Sequence, residues 1–112
     1  MTGTPFLLPA TISPSPTKVT GTAGNGQVAV WWTAPASNGG SAITGYQVQL
    51  ATSVGGPYSN AAGCPTYSTT TSCTATGLRN GTTYFFRVAA INGVGTGPYS
   101  APSSGVTPKR HR

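Results

Sequence analysis

The sequence predicts an all-β fold, a seven-stranded antiparallel Greek-key sandwich. Three observations point to it. Apolar residues alternate with period two in Gln27–Thr33 and again in Thr83–Ile91, the signature of strands with one buried face. Turn signals recur every eight to twelve residues, at Gly24-Asn25-Gly26, Asn38-Gly39-Gly40, Gly55-Gly56-Pro57, Asn80-Gly81 and Asn92–Gly97. With 16 glycines and 10 prolines in 112 residues, long helices have little room to form.

The elements follow in order. Residues 1–16 hold Pro5, Pro9, Pro14 and Pro16, which favour an extended chain. Phe6, Leu7, Leu8 and Ile12 make this piece apolar, so it reads as an arm that docks on its own sandwich or on a neighbour. Residues 17–108 read as the sandwich, and residues 109–112 as a basic tail. A first strand is expected at Lys18–Thr22 and a second at Gln27–Thr33. In the second, Val28, Val30 and Trp32 share one face, and Ala29, Trp31 and Thr33 the other. The third strand, Ile43–Ala51, sets Tyr46, Val48 and Leu50 against Gln47 and Gln49. Tyr58–Ser68 is expected to be irregular, and Thr69–Thr76 is β-prone. Thr83–Ile91 sets Tyr84, Phe86, Val88 and Ala90 against Phe85, Arg87, Ala89 and Ile91. A last strand is expected from about Tyr99 to Val106.

The charge balance excludes whole classes of chemistry. There are six Lys and Arg, no Asp and no Glu. A paired-carboxylate glycosidase site cannot be built, nor a carboxylate calcium site, nor a Ser-His-Asp triad. The single histidine, His111, is the penultimate residue, and its spacing to Cys64 and Cys73 fits no zinc pattern. The reading is therefore non-enzymatic, with no metal and no cofactor. Lys109, Arg110 and Arg112 gather charge at the tail, which either attracts acidic partners or serves as a solvated end. Specific nucleic-acid binding is not expected, because the cations do not share a sheet face with interleaved aromatics. No stretch is long enough for a membrane-spanning helix, and Phe6-Leu7-Leu8 is too short for a signal peptide.

Several segments together resemble the bacterial fibronectin type III domain. They are Gln27–Pro35, Ser37–Tyr46, Ser72–Leu78, Asn80–Tyr84, Val88–Asn92 and Gly95–Ser100, in the family's order, spanning roughly Pro16 to Pro108. The resemblance implies that Trp32, Tyr46, Leu78, Tyr84, Phe86 and Val88 are core positions, with Tyr84 as the family's tyrosine near the start of the sixth strand. It also implies a Cys64–Cys73 disulfide across a hairpin, and hence an oxidising compartment; two reduced thiols in a cytosolic product are the alternative. Arg-Gly-Asp adhesion does not carry over, since the chain has no Asp.

Three features do not follow from the fold. Trp31 faces outward beside core Trp32, and is covered by the arm, held by a partner, or half-shielded by threonines. Phe85 and Arg87 lie on the outer face of the other sheet near Gln47 and Gln49, where they could stack on a sugar or peptide or simply pair across strands. The third is the apolar arm. Trp31, Phe85, Arg87, Lys109, Arg110 and Arg112 are thus the candidate surface contacts. The favoured expectation is an accessory protein of a large assembly, such as a bacteriophage capsid decoration or tail-associated protein. It would grip a capsid or tail protein through the arm and sit on the virion surface or otherwise outside the cell. The alternative is a spacer, or a module binding cell-surface glycan, within a secreted bacterial enzyme or adhesin.

Overall fold

The computed structural model describes residues 9–110. Seven strands form two antiparallel sheets: β1 (Thr17–Gly24), β2 (Gln27–Thr33), β3 (Ile43–Ala51), β4 (Ser59–Asn60), β5 (Ser72–Ala75), β6 (Phe85–Asn92) and β7 (Thr96–Tyr99). One sheet has the order β1-β2-β5 and the other β4-β3-β6-β7. The chain changes sheets between β2 and β3, between β4 and β5, and again between β5 and β6, which is the Greek-key path expected from the sequence.

The alternation read from the sequence sets the core. Val28, Val30 and Trp32 of β2 face Tyr46 and Val48 of β3 and Phe86, Val88 and Ala90 of β6, with Ala75 and Tyr84 completing the layer. A slip of one residue in either sheet would turn each of these faces outward, so the apolar face pins the register. Trp32 packs edge-on against Tyr46, ring centroids 5.2 Å apart. Trp32 Nε1 is the one buried side-chain polar atom without a partner among the described residues. Burial in the same layer pushes the Tyr46 phenol above its ordinary value of 10.0. Leu78, expected in the core, is only partly buried and packs at its margin.

Around this layer the structure refines several expectations. β1 is longer than Lys18–Thr22, and its register shifts between Thr17 and Thr20. Lys18 sits in that shift with φ 57°, a left-handed conformation that bends the edge strand. β5 is shorter than the Thr-rich run around it, and a two-residue strand, β4, breaks the segment expected to be irregular. Tyr84 precedes β6 and meets Val106 in an isolated bridge, while its hydroxyl accepts the Arg79 N–H at 2.9 Å.

The last strand departs most from expectation. Its ladder runs over Thr96–Tyr99, and Tyr99–Val106 is not continuous strand. Pro98 and Pro102 remove two N–H donors, so an unbroken ladder cannot form through them. Serine side chains fill the gaps. Ser100 N–H donates to Val88 O at 2.8 Å, and Val88 N–H donates back to Ser100 Oγ at 3.0 Å. Ser103 and Phe86 repeat the arrangement at 2.8 and 3.0 Å. Two buried N–H groups of β6 thus take hydroxyl acceptors where carbonyls would normally stand.

Two predictions follow from this organisation. Ser100→Ala leaves the Val88 N–H buried without an acceptor and should lower unfolding free energy by about 1–3 kcal/mol in urea titration; an unchanged midpoint would show that the hydroxyl is dispensable. Stability should also be flat from pH 7 down to about pH 3, because no side-chain carboxylate exists to protonate. At the alkaline end the sign reverses. The Tyr46 phenol is raised in the folded state, so its contribution is complete below about 10 and is lost as pH rises through the folded value. Circular dichroism against pH measures both limbs.

Candidate functional site

Where the chain arrives at the sandwich, three segments are tied by one amide. Asn92, at the end of β6, is 4% exposed. Its Nδ2 donates to Thr11 O at 2.7 Å and to Asn38 O at 2.9 Å, and its Oδ1 accepts from Val94 N–H at 2.9 Å and Gly95 N–H at 3.2 Å. All four valences of the amide are used. Thr11 N–H donates to Gly39 O at 2.8 Å, and Ser13 is fully buried with its Oγ within 3.4 Å of Ser37 O. Ser13 O runs so close to Gly97 that a Cβ there would collide with it, which accounts for a glycine inside β7. The described part of the arm therefore spends its polar groups on its own domain. Ile12 stays 46% exposed, and Pro9, Thr11, Ser37, Gly39 and Gly40 line an open hollow of about 550 Å³. Phe6, Leu7 and Leu8 lie outside the described residues.

The chain departs at the opposite pole. Lys109 N–H donates to Gly24 O at 3.1 Å, and Gly81 N–H donates to Pro108 O at 2.8 Å. Asn80 Oδ1 accepts the Gly26 N–H at 2.7 Å and its Nδ2 donates to Asn25 Oδ1 at 2.8 Å, locking the β1–β2 turn to the loop before Tyr84. Arg79, Lys109 and Arg110 are exposed here. Arg112 lies outside the described residues.

The two sheet faces differ. On the smaller sheet Trp31 is 43% exposed, with Thr20 and Ser72 as its cross-strand partners. On the larger sheet Arg87 is half-buried, and its guanidinium lies 4.2 Å from the Tyr58 ring centroid and 4.1 Å from that of Tyr99. Its Nε and Nη2 both donate to Gln49 Oε1, at 3.0 and 2.6 Å. Gln49 Nε2 and Gln47 Nε2 both donate to Asn60 Oδ1, at 3.1 and 2.8 Å. Phe85 does not join this row; it is half-buried, its ring 3.4 Å from where a Cβ on Gly105 would stand. Sequence reasoning placed Arg87 and both glutamines on one face but missed Tyr58, Tyr99 and Asn60, which loop and edge positions bring to it. Cys64 and Cys73 are joined by a disulfide, tying the segment after β4 to β5.

Asn92→Asp would set an oxygen against the carbonyls of Thr11 and Asn38. It should lower stability by about 2 kcal/mol or more and speed amide exchange at Thr11 and Gly95; exchange rates that stay at wild-type values would remove Asn92 as the tie.

Comparison with known proteins agrees with this architecture. The model of the fibronectin type III domain matches residues 13–106. Myosin-binding protein H of Gallus gallus is 39% identical over 79 residues, which is 70% of this chain and 14% of that protein. A crystal structure of titin domains superposes with a TM-score of 0.80 at 30% identity, over 91% of this chain and 34% of that one. A fibronectin-like protein from Clostridium thermocellum shares the fold, with a TM-score of 0.63 at 22% identity over 91% and 97%. The chain spans a small part of the first two relatives, and neither supports the bacterial restriction expected from the sequence. The strand order, the tyrosine bonded back at Arg79 and the match over residues 13–106 lead to one conclusion: the chain belongs to the fibronectin type III family.

Proposed function

We propose that the chain is a non-catalytic spacer and contact module within a larger protein or assembly outside the reducing cytosol. The observation that carries this reading is the placement of its two ties. Thr11 is fixed beside Gly39 and Asn92 at one pole, and Lys109 beside Gly24 at the other. The eight-residue β1 runs between them, a separation of about 25 Å. Whatever is joined to either end is held apart in line. The Cys64–Cys73 disulfide supports an oxidising location. Relatives that are much longer than this chain support its use as one unit among several.

The virion accessory role is a narrower form of the same reading. It rests on the apolar Phe6-Leu7-Leu8 of the sequence and not on any relative reported above. Because Thr11 and Ser13 hold the domain's own loops, the arm is tested by removing residues 1–8 only.

Sedimentation of the untagged protein from its source, with intact mass read in each fraction under non-reducing conditions, tests the general reading. We expect the chain within a longer polypeptide or travelling with a particle, and lighter by two hydrogens than the reduced form. An 11.2 kDa chain found only free would overturn it. If it travels with a particle, deleting residues 1–8 should release it; a truncated chain that still co-sediments would refute gripping through the arm.

A further inference from the structure

Arg87 is held on the outer face of the larger sheet by three neighbours, with no side-chain carboxylate among them. Its guanidinium carbon lies over two rings, 4.2 Å from the centroid of Tyr58 and 4.1 Å from that of Tyr99, and the Nε side is held by Gln49 Oε1. Two aromatic contacts and a paired hydrogen bond restrict the head group while leaving its charge intact. Nη1 donates to nothing among the described residues, and it is not fully buried, so it keeps some contact with solvent. The usual partner for such an edge is a carboxylate, and the sequence contains no Asp or Glu.

We propose that the outer face of β3 and β6, centred on Arg87 and flanked by Tyr58, Tyr99, Gln47 and Asn60, binds an aspartate or glutamate side chain of an acidic polypeptide segment outside this domain. The Nη1 edge, with the second hydrogen of Nη2, presents two parallel donors that match a planar carboxylate. These 112 residues offer no side-chain carboxylate, so the carboxylate comes from a polypeptide segment outside them. The row has one cation set among neutral amides and phenols. The other described cations lie elsewhere: Lys18 on the opposite sheet, and Arg79, Lys109 and Arg110 at the departing pole. A polyphosphate or a sulfated chain would call for several cations in reach, whereas a single monovalent carboxylate fits one. The net charge of +6 steers an acidic partner toward the domain, and Arg87 selects where it settles. This inference rests on the contact-module reading and names the partner class for one face of it.

The test is a nitrogen-15 NMR titration of the full chain with an N-acetylated, C-amidated Gly-Glu-Gly-Glu-Gly peptide. We expect saturable shifts at the Arg87 Nε–H and the Gln49 and Asn60 side-chain amides, and none with the matching glutamine peptide. Arg87→Lys keeps the charge but loses the paired donors, and should weaken binding by about tenfold or more. Shifts confined to Lys109 and Arg110, or an unchanged affinity in Arg87→Lys, would refute the site. A sulfated oligosaccharide shifting the same resonances at lower concentration would overturn the carboxylate assignment. Should the variant not fold, the wild-type map alone decides. The titration reads the site alone and sedimentation reads the module, so failure of this site is told apart from failure of the contact-module reading.

Discussion

A chain without a single aspartate or glutamate must hold itself together without side-chain ion pairs, chiefly by burial and by hydrogen bonds to neutral acceptors, and that constraint shapes the rest of the structure. None of its cations has a side-chain carboxylate within the molecule. Positions where another protein could use an ion pair are filled by amides and hydroxyls. Asn92 joins three segments at one pole, Asn80 locks a turn to a loop at the other, and Asn60 gathers two glutamines on the larger sheet. Neutral bonds of this sort contribute about 1 kcal/mol each when made, but leaving a buried member unpaired costs more. The network therefore specifies geometry more than it adds stability, and the stability comes from the layer of Val28, Val30, Phe86 and Val88.

That layer was legible in the sequence because burial on one face of a sheet imposes period two, and nothing in β2, β3 or β6 competes with it. The same logic fails for the last strand. Its partner groups on β6 are met partly by serine side chains, and a hydroxyl acceptor leaves no periodic trace. Pro98 and Pro102 were the available signal that a continuous ladder from Tyr99 to Val106 was unsound. The arm shows a related limit. Its prolines and apolar residues disclosed an extended chain in need of a surface, but not which surface. The answer for Thr11 and Ser13 lies in long-range contacts with Gly39, Asn92 and Gly97, which local patterning does not encode.

The candidate face was half legible for the same reason. Alternation placed Arg87, Gln47 and Gln49 outward on neighbouring strands, and register then set Arg87 directly against Gln49. Tyr58 precedes a two-residue strand, and Tyr99 ends a proline-interrupted one, so neither belongs to a periodic run that would have announced its direction. Phe85 went the other way. It has the outward parity of Arg87, yet the backbone at Gly105 lies against its ring and reduces its exposure. Parity gives the side of the sheet; it does not say what crosses above it.

Two directions of use then separate in this domain. The poles are taken up by the chain itself: Thr11 is tied at one and Lys109 at the other. The Arg87 row lies away from both ties, on the outer face of the larger sheet. A spacer whose only contacts were at its ends would have no reason to hold one guanidinium against two rings and an amide on its flank. Cross-strand packing alone accounts for an arginine lying along a sheet, since its stem covers apolar surface. It accounts less well for contacts that order the head group, use one side of the fork and leave the other without a partner among the described residues. Ordering a flexible head group in advance lowers the entropy lost on binding, and that gain is realised only when something binds.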